Sequence, residues 1–351
     1  MKVNIIPPIT NTGEGKYAKH VIEGMEQKDV EVNVLTNPFL NNPNIRVFLG
    51  SFLLNKIVDN EESILHNLDN LGPFLVKSNN KIKNILTVHD IAPIKLPQIH
   101  NSLMKFYFKH VLPKLIKNSE LIIADSYSTK KDLESLFGVN EEKIEVAYLG
   151  VDLSFFQPKT PNNELLNKYG IYNDYLIYLG NDNPRKNLKT LILAFSRIYK
   201  KIDQDLVLVG PINQNNLRTF VNKIDNGNGL SERIITPGYV DYDDLPVLYS
   251  KASALVFASL YEGFGFAPLE AMACGTPVIV PNNSSIPEVV GDAGLYINDP
   301  LNPKEISNNV YTLLNDNQLQ IKMINKGLKR AKNFTWENNI NKTFEAYEKA
   351  Y

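Results

Sequence analysis

Short apolar runs recur along the chain, each followed by a stretch with helical spacing. In the first half the runs are Val3–Ile6, Val30–Leu35, residues 45–49 and 63–66, Ile85–Val88, Leu121–Ala124 and Ile144–Ala147. In the second half they are Tyr175–Leu179, Leu206–Val209, Ile234–Gly238, Ala254–Ala258 and Pro277–Val280. Runs of this length between turn residues predict buried strands. Their alternation with helices predicts parallel sheets covered on both faces. The spacing predicts helices ending near Met25, over 101–117, 128–137, 188–195, 245–251, 303–316 and 318–332, and from Thr335 to Tyr351. In the 101–117 helix Met104, Phe108, Val111, Leu112 and Leu115 share a face, and Pro113 should kink it. Asn282–Pro287 reads as a loop, with a short helix starting at Glu288. Trp336 is expected in the core. The pattern restarts after the polar stretch Lys159–Asn163, which predicts domains at 1–157 and 158–333 and a last helix at 334–351.

One stretch organises the rest, Leu255 to Pro281. It reads strand, glycine-rich loop, helix, strand. Pro268 suits a first helical turn, and Gly275 with Pro277 is a stop signal. Gly263 and Gly265 let backbone approach a ligand closely. Loop amides and a helix N-terminus favour an anion such as a diphosphate. Two acids, Glu262 and Glu270, flank that loop. Along a continuous helix their eight-residue separation would span about 12 Å, beyond the roughly 5–9.5 Å of a paired-carboxylate hydrolase site. The spacing suits a longer ligand with hydroxyls at both ends and phosphates between, such as a nucleotide sugar. A second anion element is Gly180-Asn-Asp-Asn-Pro-Arg185-Lys186-Asn187, which follows a strand and opens a helix. Cations at a helix start oppose the helix dipole, so a bound anion accounts for them better than solvent does.

Glu262-x7-Glu270, inside Ser-Leu-Tyr-Glu-Gly-Phe-Gly-Phe-Ala-Pro-Leu-Glu-Ala-Met-Ala-Cys-Gly-Thr-Pro-Val, resembles the signature of retaining glycosyltransferases of family 4, which have the GT-B fold. The likeness extends over nearly the whole chain. It implies two Rossmann-like, doubly wound parallel-sheet domains facing a cleft, with the last helix returning to the first. It also implies that Glu262 and the amides of Gly263, Phe264, Gly265 and Phe266 contact the donor sugar and diphosphate. Glu270 would hold the ribose, and the backbone near Tyr239-Val240 the base. Lys186 matches the lysine that holds the diphosphate. Family members often carry an arginine just after the glycine. Asn181 stands there in this chain, and Arg185 is the candidate replacement. His89-Asp90-Ile-Ala-Pro93 resembles the family's His-Asp-x-x-Pro, which places His89 at the donor sugar, to donate a hydrogen bond or to help an acceptor hydroxyl lose its proton. Asp90 would join His89 and Glu262 at the donor sugar or only orient the imidazole. Gly13-x-Gly15-x-x-Ala18 formally fits a dinucleotide fingerprint. It lies six residues past its strand, and no acid closes the second strand at Leu35-Thr36-Asn37. A glycine loop near phosphate and acceptor fits better, as in the Gly-x-Gly-[Arg/Lys]-Tyr loop of the same family.

Composition narrows the partners. The 351 residues carry a net charge of −1, which gives no reason to expect nucleic acid. The one cysteine, Cys274, excludes an internal disulfide and fits a reducing compartment. No run is long enough to span a membrane, and the N-terminus has no signal-peptide pattern. A cytoplasmic protein is expected, at most peripheral on the inner face of the membrane. Locally the charge is uneven. Between Lys77 and Lys117 eight lysines face one acid, Asp90, which fits either an anionic lipid surface or a solvated face. Histidines are scattered and no metal site is expected. The resulting expectation is a metal-independent hexosyltransferase without a bound cofactor. Its donor would be a nucleotide-diphosphate sugar, GDP-mannose first, and its acceptor a glycan or lipid-linked hydroxyl. A sugar-nucleotide epimerase, a phosphorylase and a non-catalytic nucleotide-sugar sensor are the competing readings.

Overall fold

The computed structural model describes residues 1–8, 13–35, 61–71, 81–160, 162–225 and 227–351. The expected strand at 45–49, the 9–12 segment and Lys77 lie outside the described residues. The chain forms two units, Met1–Gly150 with Phe334–Tyr351, and Val151–Asn333.

In the first unit the strands are β1 (Lys2–Ile6), β2 (Glu31–Val34), β3 (Ser63–Asn67), β4 (Ile82–Val88), β5 (Leu121–Ala124) and β6 (Ile144–Val146). They pair in the order β2-β1-β3-β4-β5-β6, all parallel. β3 and β5 are buried at every residue, whereas edge strand β2 alternates with solvent. That contrast is what a sheet covered on both faces produces. Helix Tyr127–Phe137 starts on the Ser126 side chain, which accepts from the Thr129 amide, and stops at Gly138 with φ 64°.

The last helix, Trp336–Ala350, is last in sequence yet packs on this unit. Thr335 caps it. The Asn339 amide donates to the carbonyls of Ala147 and Tyr148, 3.0 Å each. Tyr347 Oη lies 2.6 Å from His66 Nδ1. Gly150 has no room for a side chain: a Cβ there would sit 2.2 Å from the Trp336 backbone nitrogen. Trp336 itself is half-buried and stacks on His20 at 4.1 Å. It is not the core residue that its size predicts, because the helix's first turn lies at the rim.

Two further expectations need correction in this unit. Gly13 and Gly15 do not form a loop. They occupy the first turn of helix Gly13–Glu26, where unpaired N–H groups make glycine less costly than in a helix interior. The 101–117 segment is not one α-helix interrupted at Pro113. Helical turns Ser102–Phe106 and Leu112–Asn118 are joined by a π turn, Tyr107–Val111, so Pro113 falls in a first turn that needs no N–H.

In the second unit the strands are β7 (Tyr175–Leu179), β8 (Asp205–Val209), β9 (Ile234–Gly238), β10 (Ala254–Val256), β11 (Val278–Pro281) and β12 (Gly294–Ile297). Their parallel order is β12-β11-β10-β7-β8-β9. The order reverses between β7 and β10, and ligands of open α/β sheets bind beyond the strand ends at such a point. Helix Leu188–Ser196 buries Leu188, Leu191, Ile192 and Phe195 on the sheet, as their spacing predicts. Each fully buried side chain of this kind contributes roughly 1.5–3 kcal/mol. The helix near Glu288 begins earlier than expected, at Ile286, and includes Pro287 in its first turn. Among the described residues no helix is long and apolar enough to cross a membrane.

Candidate active site

β7 and β10 pair side by side, and each delivers half of one charged cluster. Beyond β7 the chain turns at Gly180 and enters the short turn Pro184–Lys186. Asn187 takes a left-handed φ of 56°. Its side chain donates to Ala258 O at 3.0 Å and Pro300 O at 2.6 Å, and its Oδ1 accepts from Thr190. These bonds pin the basic turn against the end of β10. Beyond β10, residues 259–265 form the glycine loop before helix Phe266–Ala273. Gly265 caps that helix at φ 119°, which a side chain would strain.

Glu262 joins the two halves. It is buried and accepts from Arg185 Nη1 at 2.7 Å, Lys186 Nζ at 2.7 Å and Ser259 Oγ at 2.6 Å. Arg185 also donates to Tyr261 O at 2.9 Å. Burial pushes the Glu262 carboxyl up, but the Lys186 and Arg185 charges outweigh it and hold it below the usual carboxylate range. The loop is fastened from behind by two serines. Ser284 Oγ accepts from the Glu262 amide at 3.0 Å, and Ser285 Oγ donates toward the carbonyls of Glu262 and Phe264, at 3.0 and 2.7 Å. Ser284 adopts φ 48°, an uncommon conformation for a non-glycine residue.

Glu270 is also buried, and the Tyr249 hydroxyl donates to its Oε2 at 3.2 Å. Tyr249 is itself buried, and burial next to the Glu270 charge raises its pKa well above the tyrosine range. Tyr239 follows the left-handed Gly238 and is 83% exposed, whereas Val240 is buried.

His89 belongs to the first unit. Its Nδ1 donates to Asp125 Oδ2 at 2.6 Å and its Nε2 to Leu68 O at 2.9 Å. Leu68 O can only accept, so Nε2 carries a proton, and the Asp125 charge favours a second on Nδ1, although burial raises the Asp125 pKa as well. Burial opposes the resulting imidazolium charge, but Asp125 raises the pKa to about 10. The expected roles therefore shift. Asp125, not Asp90, orients the ring, and a doubly donating imidazolium has no lone pair with which to take a proton. Asp90 Oδ1 instead accepts from the Ala92 amide at 3.0 Å. His66, on β3 beside β1, is buried between Tyr347 Oη and Thr87 Oγ1 at 2.6 and 2.8 Å. Burial first, and then the His89 charge, lowers its pKa to about 3. Among the described residues no group of three His, Cys, Asp or Glu is placed to hold a metal.

Residues 162–330 match the family model of glycosyl transferases group 1, and residues 10–155 that of glycosyltransferase family 4. An O-antigen chain mannosyltransferase B of Escherichia coli is 32% identical over 286 residues, covering 79% of this chain and 73% of the relative. The chain belongs to the family 4 glycosyltransferases. The O-antigen chain mannosyltransferase RfbU of Salmonella typhimurium is 31% identical over 61% of this chain and 56% of its own length. Among solved structures, a sucrose-phosphate synthase from Thermosynechococcus elongatus superposes with a TM-score of 0.80 at 18% identity, over 99% of this chain and 98% of that one. Anabaena HepE in complex with UDP-glucose gives 0.78 at 18% identity, over 99% and 100%. At that identity the likeness shows the fold, which is GT-B.

In this glycosyltransferase the structure brings Arg185, Lys186, Glu262 and the 263–266 loop together, and places Glu270 on the helix that the loop opens. Asp125, Ser259, Ser284 and Ser285 were not legible as site residues. Ser284-Ser285 ahead of Pro287 could have been noticed as a turn-forming pair, but nothing in the sequence points it at Glu262.

Proposed function

We propose that this glycosyltransferase is a retaining enzyme that moves a hexose from a nucleotide-diphosphate sugar, GDP-mannose first, to a hydroxyl of a growing surface glycan or lipid-linked precursor. One observation carries the reading: Arg185 and Lys186 sit within 2.7 Å of Glu262 where the strand order reverses. Two cations beside a hydroxyl-binding acid match the diphosphate and sugar of such a donor. The names of the E. coli and Salmonella relatives support mannose.

In this mechanism Lys186, Arg185 and the 263–266 amides stabilise the diphosphate as negative charge builds on it. Glu262 holds sugar hydroxyls, Glu270 the ribose, and the Tyr239-Val240 backbone the base. The acceptor hydroxyl attacks from the face that the diphosphate leaves, and its proton passes to a donor phosphate oxygen. The bond from the sugar to phosphate breaks as that to the acceptor forms. His89 contributes charge and hydrogen bonding to this scheme, not base catalysis. Catalysis needs no metal, and the protein is cytoplasmic with its basic 81–117 region against an anionic membrane surface.

The test is a thermal-shift screen of GDP-, UDP- and dTDP-sugars with EDTA present, followed by nucleotide release with glycan and lipid-linked acceptors. Stabilisation by GDP-mannose and acceptor-dependent GDP release are expected. A protein that no nucleotide sugar stabilises, or whose turnover vanishes with EDTA, overturns the corresponding half of the proposal.

A further inference from the structure

Two cations and one carboxylate make the cluster net positive, yet the carboxylate holds both cations. Glu262 Oε2 takes Arg185 and Oε1 takes Lys186. The Glu262 side chain is 9% exposed, and those of Arg185 and Lys186 are 20% and 19% exposed. The acid is therefore out of solvent while the cations can still be reached from it. Ser259 and the Ser284-Ser285 fastening hold Glu262 in place, so a ligand must draw the cations away from it.

We infer that Glu262 is an internal counter-anion that makes the site discriminate a sugar-bearing nucleotide from the free nucleoside diphosphate. The inference rests on the donor reading above. An arriving diphosphate competes with Glu262 for Arg185 and Lys186. When a sugar is attached, its hydroxyls donate to the carboxylate and compensate it as the cations turn to phosphate. A free nucleoside diphosphate has no such hydroxyls, and it leaves a buried carboxylate with Ser259 in place of its two cations, which is costly. Its terminal phosphate bears about one more negative charge, which deepens the repulsion from Glu262. After transfer the same carboxylate reclaims the cations, so product release is built into the residue that reads the sugar.

Calorimetric titration of the full chain with GDP, UDP and inorganic pyrophosphate tests this. Glu262→Gln keeps the shape and removes the charge. It should bind the preferred free diphosphate about tenfold more tightly than wild type, with the gain abolished in the Glu262→Gln, Lys186→Ala double variant. Glu262→Asp, too short to reach both cations, should gain less. Equal or weaker diphosphate binding by folded Glu262→Gln and Glu262→Asp overturns the counter-anion role and leaves the donor reading standing. If none of the three probes binds wild type or any variant, the donor reading falls with it. Should Glu262→Gln not fold, Glu262→Asp alone decides by the same comparison.

Discussion

Lys186 and Arg185 present their charge from a turn that Asn187 braces through two carbonyls, so their removal should act on chemistry more than on folding. A buried donor aimed at developing charge is worth about 10²–10³ in rate. Lys186→Ala should lose about that much kcat. Arg185→Ala should lose less, since its guanidinium also donates to Tyr261 O. Glu262→Gln should lose kcat as well, despite its tighter hold on free nucleoside diphosphate. Steady-state kinetics with the preferred donor checks all three, and wild-type turnover in Lys186→Ala and Glu262→Gln would refute the assignment. At the same scale His89 carries a lesson in what a motif can say. The sequence places the imidazole at a strand end, but its chemistry depends on a carboxylate 36 residues away. That carboxylate turns a candidate base into a cation.

At the scale of elements, the helix over 102–118 is sided. Tyr107, Phe108, Val111, Leu112, Leu115 and Ile116 are buried, whereas Leu103 and Phe106 are about half exposed beside Lys105 and Lys109. Apolar side chains among lysines suit a bilayer interface, each lysine adding about 1 kcal/mol near anionic lipid. We expect the protein to sediment with phosphatidylglycerol vesicles at low salt and not with phosphatidylcholine vesicles. A Leu103→Asp, Phe106→Asp variant should lose that binding while keeping its donor affinity. Equal sedimentation with both vesicles would sink the membrane assignment. Much of the element plan was readable because buried parallel strands are apolar throughout and glycine and proline mark their ends. The strand–loop–helix around Glu262 and the sided helix were legible for that reason. The first turn of Gly13–Glu26 was not. Two glycines argue for a loop by propensity, and packing of Tyr17, Val21 and Met25 overrides it. The Ser284-Ser285 fastening was hidden too, because it joins segments 22 and 23 residues apart through tertiary contact alone.

At the scale of the whole molecule, the first unit holds two histidines whose protonation opposes each other. His66 is kept neutral between Tyr347 and Thr87, with its pKa lowered from 6.5 to about 3. Between those values the unfolded chain takes up a proton that the folded chain refuses. Its contribution is therefore full above pH 6.5 and is lost as pH falls toward 3. His89 faces Asp125, Glu14 and the edge of Tyr17, and its pKa is raised from 6.5 to about 10. Its contribution is full below pH 6.5 and is lost as pH rises through 10. Each limb slopes by about 1.4 kcal/mol per pH unit, so these two residues together favour a stability maximum near pH 6.5. The one tryptophan, Trp336, lies in this unit, so its fluorescence follows this unit even where the other unfolds separately. Urea midpoints at pH 5, 6.5 and 8.5 should peak in the middle, read as midpoints because His20 against the indole changes the amplitude. His66→Gln should flatten the acid limb and leave the alkaline one. His89→Gln should flatten the alkaline limb. A midpoint that changes with pH in the same way in wild type and both variants would show that neither ring sets it.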